Sequence, residues 1–377
     1  MAKKTAPRKV TDEPDYPKII NRRLDQLRFS LEDHKVEAIA VSFLPNIRYL
    51  TNFSGSNAIF FILEDELHFI TDDSYEEQIK EELYKLPNLH FHITRSPWEY
   101  IAKKKVLKGV QSIAFEADKM PYSEAVAIRN VIRPLKFKPA ENLVTRFTQP
   151  KDPDELNFIK KSIEISRGVY EYMLGFIKPG MSEKDISNEL CYQCRKNGSE
   201  GEPSDIIVVS GERSSLVNGN PTDRKIKKND LIIMDFGSKV NGFGPDISRT
   251  VSIGKINKEQ KLMYDLVRKA QQIVLKEVRP GMNGKYLDSV VRNFFKKEGY
   301  GDSFKHTVGH GVGLRAVENP VISYELDDQI VPEDCVISIE PGLYIQGKFG
   351  IRMDELILIT VSGGSVLSAP PDEIDVI

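Results

Sequence analysis

Residues 231–253 read LIIMDFGSKVNGFGPDISRTVSI, two strand-like runs joined by a glycine-rich turn, and each run carries a carboxylate among apolar neighbours. Asp235 directly follows Leu231–Met234, and Asp246 opens the returning run, close to Arg249 and Thr250. A carboxylate half-buried in a strand is costly without a partner. A local account would have Asp235 cap a turn and Asp246 pair with Arg249. Three further segments make the local account less economical. TVGHGVGL at 307–314 sets His310 between Gly309 and Gly311, where glycines allow close approach of backbone to a ligand. CVISIEPGLYI at 335–345 ends an apolar strand on Glu340. FGIRMDELILIT at 349–360 places Arg352 and Asp354 two apart, so that a continuous strand would show both on one side and Glu355 on the other. Asp235, Asp246, His310, Glu340 and Asp354 can share one pocket only if something positive neutralises the carboxylates. One or two divalent metal ions per chain are the simplest such partner.

The rest of the chain supplies a frame for this pocket. A length of 377 residues suggests two domains, and a hydrophobic share of 40% is enough for packed cores. A helix over about Ile19–Asp33 and apolar runs VEAIAVS, NAIFFIL, ELHFITDD and SIAFEAD give a small α/β domain at 17–145. KFKPAENLVTRFTQPKDPDE, residues 136–155, is rich in proline and charge and reads as a linker. A second domain spans 150–377, opening on Asp152 as N-cap, Pro153 at the first helical position and Glu155 closing a capping box. Its first helix stops at Lys178-Pro179-Gly180-Met181, and a later one, about Asn257–Val278, stops at Arg279-Pro280-Gly281-Met282. In both places a further helix and acidic strands follow. The repetition predicts an internal duplication with a pseudo-twofold axis, which would bring strands from both halves face to face.

Composition narrows the function classes. A net charge of −2 argues against nucleic acid as a partner, and no apolar run reaches the ~18 residues that span a bilayer. Residues 1–16 read as a solvated tail rather than a signal peptide. Three cysteines make no disulfide framework, which favours a reducing cytoplasm. Cys191 and Cys194 lie in a helical pattern with Ile186 and Leu190 and are expected on its buried face.

The segments DFG, GFGPDISRT, GHGVGL, IEPGLY and GIRMDE occur in the order found in the pita-bread metallopeptidases and most resemble the aminopeptidase P and prolidase branch. NIRYLTNFSGS at 46–56 is similar to the creatinase/prolidase N-terminal domain. The resemblance covers nearly the whole chain. It implies an α/β N-terminal domain followed by a pseudo-twofold pita-bread catalytic domain, a metallopeptidase acting on short peptides such as Xaa-Pro, and a homodimer. By it, Asp235 binds one metal, His310 and Glu340 bind the other, and Asp246 and Asp354 bridge them. Oxygen-rich ligation with one imidazole suits Mn(II) ahead of Co(II) or Zn(II). Glu340 would also shuttle a proton, Arg352 would orient the carboxylates, and His306 matches a histidine near the substrate. Three positions depart from the pattern. The fifth ligand is Asp354 where the family has Glu, and Asn218 and Val317 stand where it has substrate-contacting histidines. The expectation is therefore a metal-dependent hydrolase with an altered substrate site. The rivals are a pita-bread enzyme acting on a small non-peptide molecule, as a creatinase or a lyase does, and a non-catalytic binding protein.

Overall fold

The computed structural model describes residues 16–377; the tail expected at 1–16 lies, up to residue 15, outside the described residues, and Tyr16 already begins a helix. The chain divides into two compact units, the first ending at Phe147 and the second running Thr148–Ile377.

The first unit comprises α1 (Tyr16–His34), β1 (Ala38–Val41), α2 (Leu44–Thr51), β2 (Ala58–Ile62), β3 (Leu67–Thr71), α3 (Gln78–Glu82), β4 (Leu89–Ile93), α4 (Pro97–Lys104), β5 (Ser112–Glu116), α5 (Tyr122–Val131) and β6 (Lys136–Ala140). Its six strands form one mixed sheet in the order β4-β3-β2-β1-β5-β6. β1 to β3 and β5 are buried along their whole length, which is why β1 and β2 read as unbroken apolar runs and β3 and β5 as mostly apolar ones. Trp98 and Ile101 of α4 and Ala125 and Ile128 of α5 share a cluster with Ala40, Phe61, Ile113 and Phe115.

The linker reading of 136–155 is corrected at its start. Residues 136–140 form strand β6, paired with β5, and bury Phe137 and Ala140. Pro139 hides the strand from a sequence reading, but at a sheet edge its missing N–H is tolerated. β4 also has a weak signal, because its sequence LHFHI alternates histidine into an edge strand that is partly exposed.

The second unit comprises α6 (Pro153–Phe176), α7 (Glu183–Lys196), β7 (Ile207–Ser210), β8 (Leu231–Gly237), β9 (Asp246–Ser252), α8 (Lys258–Glu277), α9 (Gly284–Lys297), β10 (Gly309–Gly311), β11 (Glu318–Ile322), β12 (Val336–Ile339), β13 (Gly342–Ile345), β14 (Phe349–Arg352), β15 (Glu355–Thr360), β16 (Gly363–Val366) and β17 (Asp375–Val376). β17-β9-β8-β7 form one sheet, β11-β10-β12-β15-β16 another, and β13-β14 a hairpin. The capping box at Asp152 is present, with its side chain accepting from Asp154 and Glu155 N–H and Glu155 accepting from Asp152 N–H at 2.8 Å.

The duplication is written in the backbone. After α6, Gly180 N–H donates to Ile226 and Ile226 N–H to Met181; after α8, Gly281 N–H donates to Val331 and Val331 N–H to Met282. Bridges Ser182–Lys225 and Asn283–Ile330 repeat the same pairing, and Ser182 and Asn283 are the N-caps of α7 and α9. Each Pro-Gly-Met stop thus turns one helix into the next while pinning a strand-like segment beside it.

The C-x-x-C expectation holds for Cys194, which is fully buried, but Cys191 is half-buried and its thiol donates to Glu202 at 2.9 Å.

Candidate metal centre

Strand alternation brings the first two carboxylates together. Asp235 pairs across the sheet with Ser248, and Gly237 with Asp246, so Asp235, Asp246 and Ser248 line one face of the β8–β9 hairpin. Arg249 faces the other way. Its guanidinium donates to the carbonyls of Ser248, Asp354 and Ser368, so it is not the partner of Asp246.

The second half supplies the other three residues. His310 pairs with Ser338 on β12, and Ser338 with Leu356 on β15. Glu340, two residues beyond Ser338, and Asp354, two before Leu356, extend the same face. The glycines around His310 are explained by packing rather than by approach to a ligand. A Cβ on Gly309 would overlap the Ser338 carbonyl, and one on Gly311 the Asn319 carbonyl. They let β10 sit tightly between its neighbours, and this fixes His310.

The expected continuous strand through Arg352 and Asp354 is broken at 353–354. β14 pairs with β13, β15 pairs with β12, and the chain changes partners between them. At the break, Asp354 N–H donates to Ser248 O at 3.1 Å, and Asp354 Oδ2 accepts from Ser248 N–H at 2.8 Å. Arg352 Nη2 donates to Asp235 Oδ2, Nε to Ser248 Oγ at 2.9 Å, and Nη1 to the Val217 carbonyl at 3.1 Å. Arg352 and Asp354 thus both close on Ser248, joining the two halves. Glu355 turns to the opposite face and pairs with Arg268 at 3.0 Å.

His310 Nδ1 donates to the Gly311 carbonyl at 3.0 Å, leaving Nε2 toward Glu340 Oε1 at 3.1 Å. Burial alone would depress the imidazole; the charge and hydrogen bond of Glu340 outweigh it and raise it to about 10. Burial likewise opposes ionisation of Glu340, but the charge and hydrogen bond of His310, helped by Arg352, hold its carboxyl down to about 2. Asp235 is pushed up to about 7, by burial first and against the pull of Arg352. Asp246 and Asp354 are also raised, by burial and by Glu340, with His310 opposing at Asp246 and Arg352 at Asp354. The five side chains therefore lie within one another's electrostatic reach: four carboxyl groups face two cationic partners, His310 and Arg352, and the raised Asp235, Asp246 and Asp354 mark a pocket that resists ionising all four without further positive charge.

That imbalance is one observation that fits a divalent cation. A second is that Asp235 Oδ1 and Asp354 Oδ1 are buried without a hydrogen-bond partner. Among the described residues, no three His, Cys, Asp or Glu side chains already converge on a common point. His310 is turned onto Glu340 and Arg352 onto Asp235, so binding an ion requires these pairs to open. The donor chemistry fits the ion.

The remaining sequence candidates lie around this cluster. Asn218 is exposed, one residue beyond the carbonyl tied to Arg352. Val317 is 53% exposed and precedes Glu318, which pairs with Gly311 beside His310. His306 donates from Nδ1 to the Thr307 carbonyl at 2.8 Å and accepts at Nε2 from the Tyr344 hydroxyl at 2.9 Å. Burial depresses its imidazole, which keeps it neutral. Ser248, Thr250, Ser338 and Tyr344 take part in this architecture without having been singled out from sequence. Ser248 and Thr250 follow Asp246 at alternate positions, so the period of the strand could have exposed them.

Residues 157–361 match Metallopeptidase family M24, and residues 23–147 match the Creatinase/Prolidase N-terminal domain. An uncharacterized peptidase, YqhT, from Bacillus subtilis is 32% identical over 93% of this chain and 99% of its own. The solved Xaa-Pro dipeptidase from Bacillus anthracis superposes with a TM-score of 0.89 at 30% identity, covering 95% of this chain and 100% of that one. The X-Pro aminopeptidase from Thermotoga maritima MSB8 gives a TM-score of 0.86 at 34% identity, with 94% and 99% covered. Fold and site together define a metal-dependent peptidase with a pita-bread catalytic domain. The chain belongs to metallopeptidase family M24.

Proposed function

We propose that this enzyme hydrolyses short peptides at the bond preceding proline, with a substrate site altered at Asn218 and Val317. The observation that carries the reading is the five-residue cluster, to which both halves of the second unit contribute. The near full-length likeness to proteins named Xaa-Pro dipeptidase and X-Pro aminopeptidase supports the choice of substrate. Asp235 would hold one ion, His310 and Glu340 a second, and Asp246 and Asp354 both, with Mn(II) the best match to the donors. When bound, such ions acidify water and polarise a carbonyl.

The residues supply the rest. Glu340, with a side chain 16% exposed, can take a proton and pass it to the leaving nitrogen. Arg352 fixes the orientation of Asp235. Tyr344 donates to His306 Nε2 and fixes the ring beside the cluster. Asn218 can offer a hydrogen bond but no charge, and Val317 offers neither. Asp354 is one methylene shorter than the glutamate it replaces, and its tie to Ser248 N–H draws it toward β9. The free cysteines suit the cytoplasm, and the reading places the enzyme there as a homodimer.

The test is hydrolysis of an Xaa-Pro dipeptide and Xaa-Pro-Xaa tripeptide panel with Mn(II), Co(II) or Zn(II), before and after chelation. Metal-dependent cleavage confined to bonds before proline is expected. Metal-dependent hydrolysis only of non-peptide amides would transfer the reading to the small-molecule alternative. Failure to act on either, with metal bound, would make it a binding protein.

A further inference from the structure

Three of the six histidines in the chain gather far from the catalytic residues in sequence, in the first unit. β3 and β4 run parallel with His68 opposite His90 and Ile70 opposite His92, so His68, His90 and His92 share one face. Their rings stack, with centroids 5.1 Å apart for His68 and His90 and 5.4 Å for His68 and His92. They line an open cleft of about 610 Å³ together with Glu37, Glu64 and Glu66 and, among its cationic residues, Lys104, Lys105 and Lys108.

The atoms are arranged in a particular way. His68 Nδ1 and His92 Nε2 lie 3.1 Å apart. On the other side of the ring, His68 Nε2 has no hydrogen-bond partner and sits 3.4 Å from Glu66 Oε2. His68 is 4% exposed, so this is a buried nitrogen with an acidic neighbour at ion-pair distance. Drawn slightly closer, Glu66 would accept a hydrogen bond from Nε2–H and so hold the tautomer whose Nδ1 lone pair faces His92. A carboxylate that fixes the tautomer of a histidine whose other nitrogen is free is a recurring support of metal sites. Two nitrogens 3.1 Å apart, each about 2.0–2.1 Å from one ion, subtend roughly 100° there, between square-planar and tetrahedral. Burial lowers the basicity of His68 and His92, which favours the neutral form that ligates. His90 is exposed on the edge strand and can turn toward the pair.

We propose that His68, His92 and His90 form a second metal site, for a divalent ion that prefers imidazole such as Zn(II), Ni(II) or Cu(II). Glu66 is its orienting carboxylate. Among the described residues no third donor already completes a cage, so His90 or water closes it on binding. The ion would clip β4 onto β3 and stiffen the open edge of the sheet.

The test is equilibrium dialysis of the full chain against Zn(II) with elemental analysis, beside the variants His90→Gln/His92→Gln and Glu66→Gln. The double variant is expected to bind one equivalent fewer than wild type while keeping peptidase activity. Glu66→Gln is expected to keep the stoichiometry and weaken the extra site about 10–100-fold. With Cu(II), electron paramagnetic resonance should show coupling to two or more imidazole nitrogens that the double variant lacks. Equal Zn(II) stoichiometry and an unchanged Cu(II) spectrum in the double variant would overturn the proposal and leave a hydrogen-bonded histidine stack. If the double variant does not fold, the single change His92→Gln and the Glu66→Gln affinity decide in the same sense.

Discussion

Arg352 and Asp354 carry the tension of the centre. Arg352 is the cation paired with Asp235, and both are buried. Replacing Arg352 by Met should destabilise metal-free protein by about 3–5 kcal/mol, because Asp235 is left buried and unpaired. Saturating Mn(II) should recover part of that loss in chemical denaturation, since the ion takes over the compensation. At the rim, Asn218→His with Val317→His should raise kcat/KM on an Xaa-Pro peptide, by up to about 10²–10³ per restored donor. Steady-state kinetics check this, and an unchanged rate would show that these positions do not limit catalysis. The residue types of the cluster were legible in the sequence because carboxylates are rare inside strands. Their present pairing was not, because Arg352 to Asp235 and Asp354 to Ser248 span more than a hundred positions.

Elements place those residues, and their logic is mostly local. The Asp152 cap, the two Pro-Gly-Met stops and the apolar strands are all readable because each rests on neighbours in sequence. β6 escaped because Pro139 and the flanking lysines mask an edge strand, and the break at 353–354 escaped because only tertiary pairing reveals where β14 yields to β15. Asp152→Ala should cost about 1 kcal/mol, measured by urea unfolding, through the loss of an N-cap that satisfies two N–H groups. Gly309→Ala should cost about 1–3 kcal/mol, since its methyl would press on β12. The same change should weaken Mn(II) binding, because it displaces His310, whereas Asp152→Ala should leave metal affinity unchanged.

At the scale of the whole molecule, the second unit behaves as two related halves that meet at a charge cluster neither could hold alone. The repeated hydrogen bonds after α6 and α8 are the record of that relation. An ion joining the halves should act as a staple. With free Mn(II) at 100 times Kd, the gain is about 2.7 kcal/mol, and at roughly 2–4 °C per kcal/mol the melting temperature of this unit should rise by about 5–10 °C. Differential scanning calorimetry with and without chelator measures it. The measurement that bears most directly on the account is Mn(II) binding to wild type, to Asp235→Asn in the first half and to His310→Gln in the second, each in the full chain. The account predicts that either change alone removes at least one ion or weakens binding at least tenfold. Wild-type stoichiometry and affinity in either variant would contradict a centre built by both halves.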